Sequence, residues 1–354
     1  MTNADHAGAM LTIDLDAIVA NWRTLKDRVA PAEVAAVVKA DAYGLGVGPV
    51  ARALLAAGCR TFFVSGVDEA RELRQIVDAT VFVLNPRPET DLAGAIPVLN
   101  SLDEIRAWPR TRPAALKIDT GMARRGLTAA DLDARGADAL LRGLNLVLVM
   151  SHLACAEIPD HPLNETQRAA FAAARTRFAN VRASLANSSG AFLPAAYHFD
   201  LIRAGAALYG VNPTPGRANP MRPAVQLLAR IVQARDVDAG TTVGYGATHR
   251  FAWPSRVATV AVGYADGYPR SLSNRGHGFI GGVRVPLVGR VSMDLASFDV
   301  TDVPAAQLSR AGFVELIGPH VSVDDVADAA GTIGYEILTA LGRRYHRRYA
   351  GANG

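Results

Sequence analysis

Lysine is almost missing from this chain. Of its 354 residues only Lys26, Lys39 and Lys117 are lysines, and every other strong base is an arginine. Where arginine serves nearly every positive charge, the remaining lysines point to places where it cannot substitute. An amine that sheds its proton and forms a Schiff base is one such need. Cysteine is scarce too: Cys59 and Cys155 lie far apart without metal-ligand spacing, so no disulfide framework is expected. No uncharged apolar run approaches the ~18 residues of a membrane span. The opening "MTNADHAGAMLTIDLD" has no basic stretch leading into an apolar one, so a cytoplasmic protein without a membrane partner is expected. The net charge of +4 comes from arginines scattered singly, which argues against a nucleic-acid partner.

What is present is apolar residue, half of the chain, enough for a sizeable core. After "LTIDLD", the segment "DAIVANWRTLKDRVA" repeats Ile18, Trp22, Leu25 and Val29 on one helical face, with Asp16 as the expected cap. Strand-like "VAAVVK", "TFFVS", "TVFVL", "AALKID" and "LNLVLVMSHL" alternate with helix-like segments. Such short repeats predict a parallel sheet closed into a (β/α)8 barrel of the TIM type. An open doubly wound sheet is the alternative, but no G-x-G-x-x-G follows the first strand. Near residue 225 the texture changes to short apolar runs punctuated by Gly and Pro, such as "TTVGYGATHRF" and "GGVRVPLVGRVSMDLASFDV". These predict a second, mainly antiparallel β domain. The expected division is residues 10–225 and 226–354.

One strand ends in a reactive type of residue. In "AVVKADAYGLG", Lys39 closes an apolar run, and Tyr43, Gly44 and Gly46 follow. Catalytic groups of a barrel sit at the C-terminal ends of its strands, although a lysine there can equally snorkel to solvent. A tyrosine hydroxyl beside a small, flexible turn can admit and hold a phosphate.

"VVKADAYGLG" closely resembles the cofactor-binding signature of bacterial alanine racemases, and the resemblance runs from "IDLDAIVANW" to "TIGYEILTALGRR" with its motifs in family order. It implies that Lys39 carries pyridoxal 5'-phosphate. It further implies that Tyr43, Tyr335, Ser188 and the amides of Gly205 and Ala206 hold the phosphate. Arg203, in "DLIRAGAALYG", would meet the ring nitrogen, with His152, from "MSHLACAE", beside it. In "LKIDTGMARRG" the substrate carboxylate falls to Arg124, and Lys117 occupies the position that is a carbamate in some relatives. Asn187 comes from "ANSSG", Tyr245 from "VGYGATHRF", and Met293 and Asp294 from "GRVSMD". Glu157, Tyr264 and Arg290 match the channel by which substrate enters.

The resemblance implies racemisation of L- and D-alanine for peptidoglycan, with Lys39 and Tyr245 as the two proton carriers on opposite faces of the substrate. Since Lys39 belongs to the barrel and Tyr245 to the β domain, it also implies a head-to-tail homodimer with shared sites. No metal is called for. Ser184 stands where some relatives have a histidine joined to the ring-side arginine, Gly334 where asparagine is common, and Ser292 where others have cysteine. The alternatives are a broad-specificity or serine racemase, a basic amino acid decarboxylase of the same plan, and a non-catalytic pyridoxal-phosphate carrier. Alanine and serine differ by too little for motifs to separate.

Overall fold

The first strand, β1 (Ala9–Asp14), alternates buried and half-buried residues, as a strand with one face on a core must. Asp14 then caps the helix Leu15–Val29, its carboxylate accepting the Ala17 amide at 2.8 Å. Asp16, the cap expected from sequence, lies within the first turn instead, where its charge complements the helix N-terminus. The apolar face is as expected: Ile18, Trp22, Leu25 and Val29 are all buried. These observations come from a computed structural model that describes residues 7–87, 91–178 and 180–351.

Eight parallel strands follow: β2 (Glu33–Val37), β3 (Thr61–Val64), β4 (Thr80–Val83), β5 (Ile96–Leu99), β6 (Pro113–Lys117), β7 (Asn145–Met150), β8 (Arg182–Ser184) and β9 (Leu201–Ala204). Their order is β8-β7-β6-β5-β4-β3-β2-β9. The seam between β8 and β9 is crossed by the Asp200 amide to the Ala183 carbonyl and the Arg203 amide to the Ala186 carbonyl, both 3.0 Å. The result is a nearly closed barrel with helices, as the alternating pattern predicts. All of "TFFV" in β3 is buried, and Phe63 stacks on Phe82 of β4 with ring centroids 4.8 Å apart. Burying each such side chain contributes roughly 1.5–3 kcal/mol.

The second domain comprises β10 (Val225–Val237), β11 (Thr242–Val243), β12 (His249–Arg250), β13 (Ser255–Val260), β14 (His277–Ile280), β15 (Val283–Pro286), β16 (Ala296–Asp299), β17 (Phe313–Ile317) and β18 (His346–Ala350). It is mainly antiparallel. Strand β1, which the sequence reading groups with the barrel, instead lies between β10 and β18 in this sheet. Its one-sided pattern explains why: a parallel barrel strand is covered on both faces, and β1 is not. Pairing with both ends of the second domain ties the two domains together. No helix among the described residues is long and apolar enough to cross a membrane.

Candidate active site

A cavity of about 670 Å³ opens at the C-terminal ends of the barrel strands. Lys39, Tyr43, Lys117, Arg124, His152 and Asn187 line it, and so do Ser188, Arg203, Gly205, Ala206 and Tyr335. Residues scattered over most of the chain meet there because they end or follow β2, β6, β7, β8 and β9, with Tyr335 brought in by the helix Gly334–Ala340.

Lys39 enters through an unusual turn. Ala40, Asp41, Ala42 and Tyr43 all have left-handed backbone angles, with φ of 53°, 54°, 52° and 57°. None is glycine, and each costs roughly 1–2 kcal/mol in that conformation. Specific bonds hold the turn. The Glu69 carboxylate accepts the Ala40 amide at 2.7 Å and, through its other oxygen, the Ser65 amide at 2.6 Å. The Asp41 carboxylate accepts the Val47 amide at 2.7 Å. The turn directs Tyr43 inward, where its ring meets Tyr209 at 4.8 Å and Tyr335 at 6.0 Å between centroids.

Opposite the lysine is a cradle suited to an anion. The Ser188 hydroxyl accepts the amides of Gly205 at 2.9 Å and Ala207 at 3.3 Å, and Asn187 fixes the same loop by accepting the Gly190 amide at 2.9 Å. The Gly205 amide is therefore already engaged by protein. Among the described residues the Ala206 amide has no such partner. Gly205 must lack a side chain, because a Cβ there would run into the Tyr43 hydroxyl. Burial raises the pKa of both Tyr43 and Tyr335, so both phenols stay protonated and can donate to an anion.

Arg203 is buried at the cavity floor. Its terminal nitrogens donate to the Ser184 hydroxyl at 2.5 Å, the Ser151 carbonyl at 2.6 Å and the Leu185 carbonyl at 3.4 Å, and approach His152 Nδ1 at 3.0 Å. None of these partners is a carboxylate, and Nε takes no part in them. A guanidinium only donates, so Nδ1 of His152 accepts and the imidazole proton resides on Nε2. Burial lowers Arg203 to about 9, which leaves it charged at neutral pH. The Ser184 hydroxyl in turn donates to the Leu201 carbonyl at 2.6 Å. The serine thus ends the hydrogen-bond chain on backbone, without a second imidazole.

The electrostatics favour anions and a neutral amine. Burial, followed by Arg124, lowers the pKa of Lys39, with Glu69 opposing. Burial, followed by Arg124 and Arg203, lowers Lys117 to about 8. His152 is pushed well below its ordinary value by burial and then by Arg203, so it is neutral. Arg124 is aimed over the cavity by a loop in which Asp119 accepts the amides of Gly121 at 2.9 Å and Met122 at 2.8 Å.

The remaining residues named from sequence lie elsewhere. Tyr245 sits at the tip of the β11–β12 hairpin and is 72% exposed. Arg290 packs against Gly246 beside it. The amides of Tyr264 and Ala265 donate to the carbonyls of Ser292 and Met293, both at 3.0 Å. Tyr245, Tyr264, Arg290 and Met293 thus form one exposed face of the second domain, apart from the cavity of their own chain. Asp294 is paired with Arg344 at 2.8 Å. Glu157, exposed near the mouth, is close enough to Tyr335 for its charge to raise that phenol. Sequence reasoning missed Glu69, whose only trace is an acid three residues after Gly66 at a helix start. It also missed Arg125, which donates to Asn85 at 2.8 Å and Glu104 at 2.5 Å on the cavity wall.

A cofactor with a phosphate, a basic ring nitrogen and a carbonyl fits these residues from end to end. The glycine-lined cradle and two protonated phenols suit the phosphate, the Arg203 donor suits the nitrogen, and the Lys39 amine suits the carbonyl. The fold and site define a barrel enzyme acting on amines through pyridoxal phosphate. The chain belongs to the alanine racemase family: residues 13–213 match the alanine racemase N-terminal domain and residues 224–349 the C-terminal domain. An alanine racemase of Rhodospirillum rubrum is 54% identical, with 99% of this chain and 98% of that protein covered. A catabolic alanine racemase of Agrobacterium fabrum is 47% identical, with 98% and 93% covered. The crystal structure of alanine racemase from Bartonella henselae with covalently bound pyridoxal phosphate superposes with a TM-score of 0.91 at 41% identity, covering 97% of this chain and all of that one.

Proposed function

We propose that this protein is an isomerase that interconverts L- and D-alanine with pyridoxal phosphate, supplying D-alanine for peptidoglycan, and that it works in the cytoplasm as a head-to-tail homodimer. When bound, the cofactor supplies an electron sink that acidifies the Cα–H of the amino acid joined to it. The chain's own residues do the rest. Tyr43, Tyr335, Ser188 and the Ala206 amide would hold the phosphate, with the Gly205 amide acting through Ser188. Arg203 would offer the ring nitrogen a fixed donor with no proton to give up, so the ring stays a moderate sink and reprotonation at Cα is favoured over side reactions. Arg124 orients the substrate carboxylate, with Met293 of a second copy of the chain closing the substrate space. Lys117, carried as a carbamate, would support Arg124.

Inversion needs proton carriers on both faces of a planar carbon. Lys39, its pKa lowered by burial, moves the proton on one face. Tyr245 of a second copy moves it on the other, with the neutral His152 as its neighbour. Glu157, Tyr264 and Arg290 line the approach. The observation that carries this reading is a buried arginine without a carboxylate partner on the same cavity as a lysine of lowered basicity. The test is incubation of L-alanine with the protein in D2O: deuterium should enter at Cα with formation of D-alanine. Bound cofactor without exchange would overturn the proposal.

A further inference from the structure

The second domain also touches the Lys39 turn within the same chain. Arg347, half-buried on β18, donates through one terminal nitrogen to the Gly44 carbonyl at 2.6 Å. Its other terminal nitrogen reaches the Leu341 and Gly342 carbonyls, both at 3.2 Å. Those carbonyls directly follow the helix Gly334–Ala340, which carries Tyr335. Two residues further along β18, on the same face, the Tyr349 hydroxyl donates to the Leu45 carbonyl at 3.0 Å. The packing is equally close: a Cβ on Gly44 would lie 2.6 Å from the Leu338 carbonyl oxygen, and one on Gly46 would collide with the Tyr349 hydroxyl. Strand β18 is itself fixed in register, Leu11 of β1 facing Arg347.

Arg347 and Tyr349 therefore grip the exit of a left-handed turn that no glycine relieves over Ala40–Tyr43. We propose that Arg347, assisted by Tyr349, is a positioning residue that fixes the separation between the Lys39–Tyr43 wall of the cavity and the Tyr335 wall. One guanidinium bridges both walls, and neither lysine nor a hydroxyl could span three carbonyls in one plane. The second domain then serves the site of its own chain through β18, besides serving another chain through Tyr245. This inference rests on Lys39 being the cofactor lysine, but its first readout does not require racemisation.

The chain's shortage of lysine provides that readout. Full-length wild type, Arg347→Met, Arg347→Lys and Tyr349→Phe are treated with an amine-acylating reagent over a range of pH, after cofactor removal with hydroxylamine, and labelling of Lys26, Lys39 and Lys117 is resolved by peptide mass. Arg124 and Glu69, which act on Lys39, and His152, on which Lys39 acts, are unchanged in every variant. In Arg347→Met the Lys39 midpoint should rise by roughly one pH unit toward the ordinary lysine value as burial is lost. Lys26 should not move. Pyridoxal phosphate should dissociate about tenfold more readily, with Arg347→Lys recovering part of the loss and Tyr349→Phe showing a smaller shift of the same sign. A folded Arg347→Met with wild-type Lys39 midpoint and wild-type cofactor affinity would overturn the inference. If that variant does not fold, Tyr349→Phe decides in the same way. A wild type that binds no cofactor would count against the proposed function alone, since the Lys39 midpoints remain measurable.

Discussion

Of the basic side chains lining the cavity, Lys39 and Arg203 differ in what each can lose. Burial and Arg124 weaken the basicity of Lys39, while Arg203 remains charged among neutral acceptors. This division separates a racemase from a decarboxylase of the same plan, which would set an acidic partner against the ring nitrogen. Borohydride reduction of the loaded protein should attach the cofactor to Lys39 and to neither Lys26 nor Lys117, and Lys39→Arg should abolish the adduct, because a guanidinium retains its proton. Peptide mapping by mass reads both outcomes. Gly205→Ala tests the cradle. Its methyl group must displace the Tyr43 hydroxyl, at a cost of about 1–3 kcal/mol for overpacking. Cofactor affinity, followed by absorbance titration, should fall roughly tenfold or more while the far-ultraviolet circular dichroism is unchanged.

Among the elements, the legible ones were those whose hydrophobic pattern repeats. The apolar runs of β3 and β7 and the face of the helix Leu15–Val29 could be read directly, because burial imposes that pattern. The cap lies two positions before the expected one: Asp14 and Asp16 are the same residue type, and only the strand's end decides between them. Asp14→Ala should lower stability by about 1 kcal/mol, seen as a lower urea midpoint with an unchanged slope, whereas Asp16→Ala should cost less. The left-handed turn was not legible at all. "KADAY" contains good helix formers, and nothing local announces four positive φ angles. Glu69, Arg347 and Tyr349 are distant in sequence and acquire meaning only once that turn exists, so they too were hidden. Strand β1 escaped its group for a related reason: its alternation shows that one face is open, but not which sheet it joins.

At the scale of the whole molecule, the proposed site is divided. The barrel supplies Lys39, Arg203 and the phosphate cradle, while Tyr245, Tyr264 and Met293 stand exposed at 72%, 43% and 54% on the second domain. Exposed aromatic and thioether side chains grouped on one face mark a surface that another protein covers. A lone barrel that only carries the cofactor would leave this domain without a role, and both halves of the chain match the racemase family. With Tyr245 as the proposed second proton carrier, Tyr245→Phe should keep the cofactor and its absorbance while losing racemisation, since the phenol and not the ring would move the proton.

The division of the site between subunits is tested most directly by complementation. Lys39→Arg and Tyr245→Phe, each expected to be inactive alone, are co-expressed or mixed under conditions that allow subunits to exchange, and racemisation is assayed with L-alanine. A head-to-tail dimer places one intact site in each hybrid, so an equal mixture should recover about one quarter of wild-type activity. Activity no greater than that of the separate variants, in a mixture shown by native mass spectrometry to contain hybrids, would contradict the account.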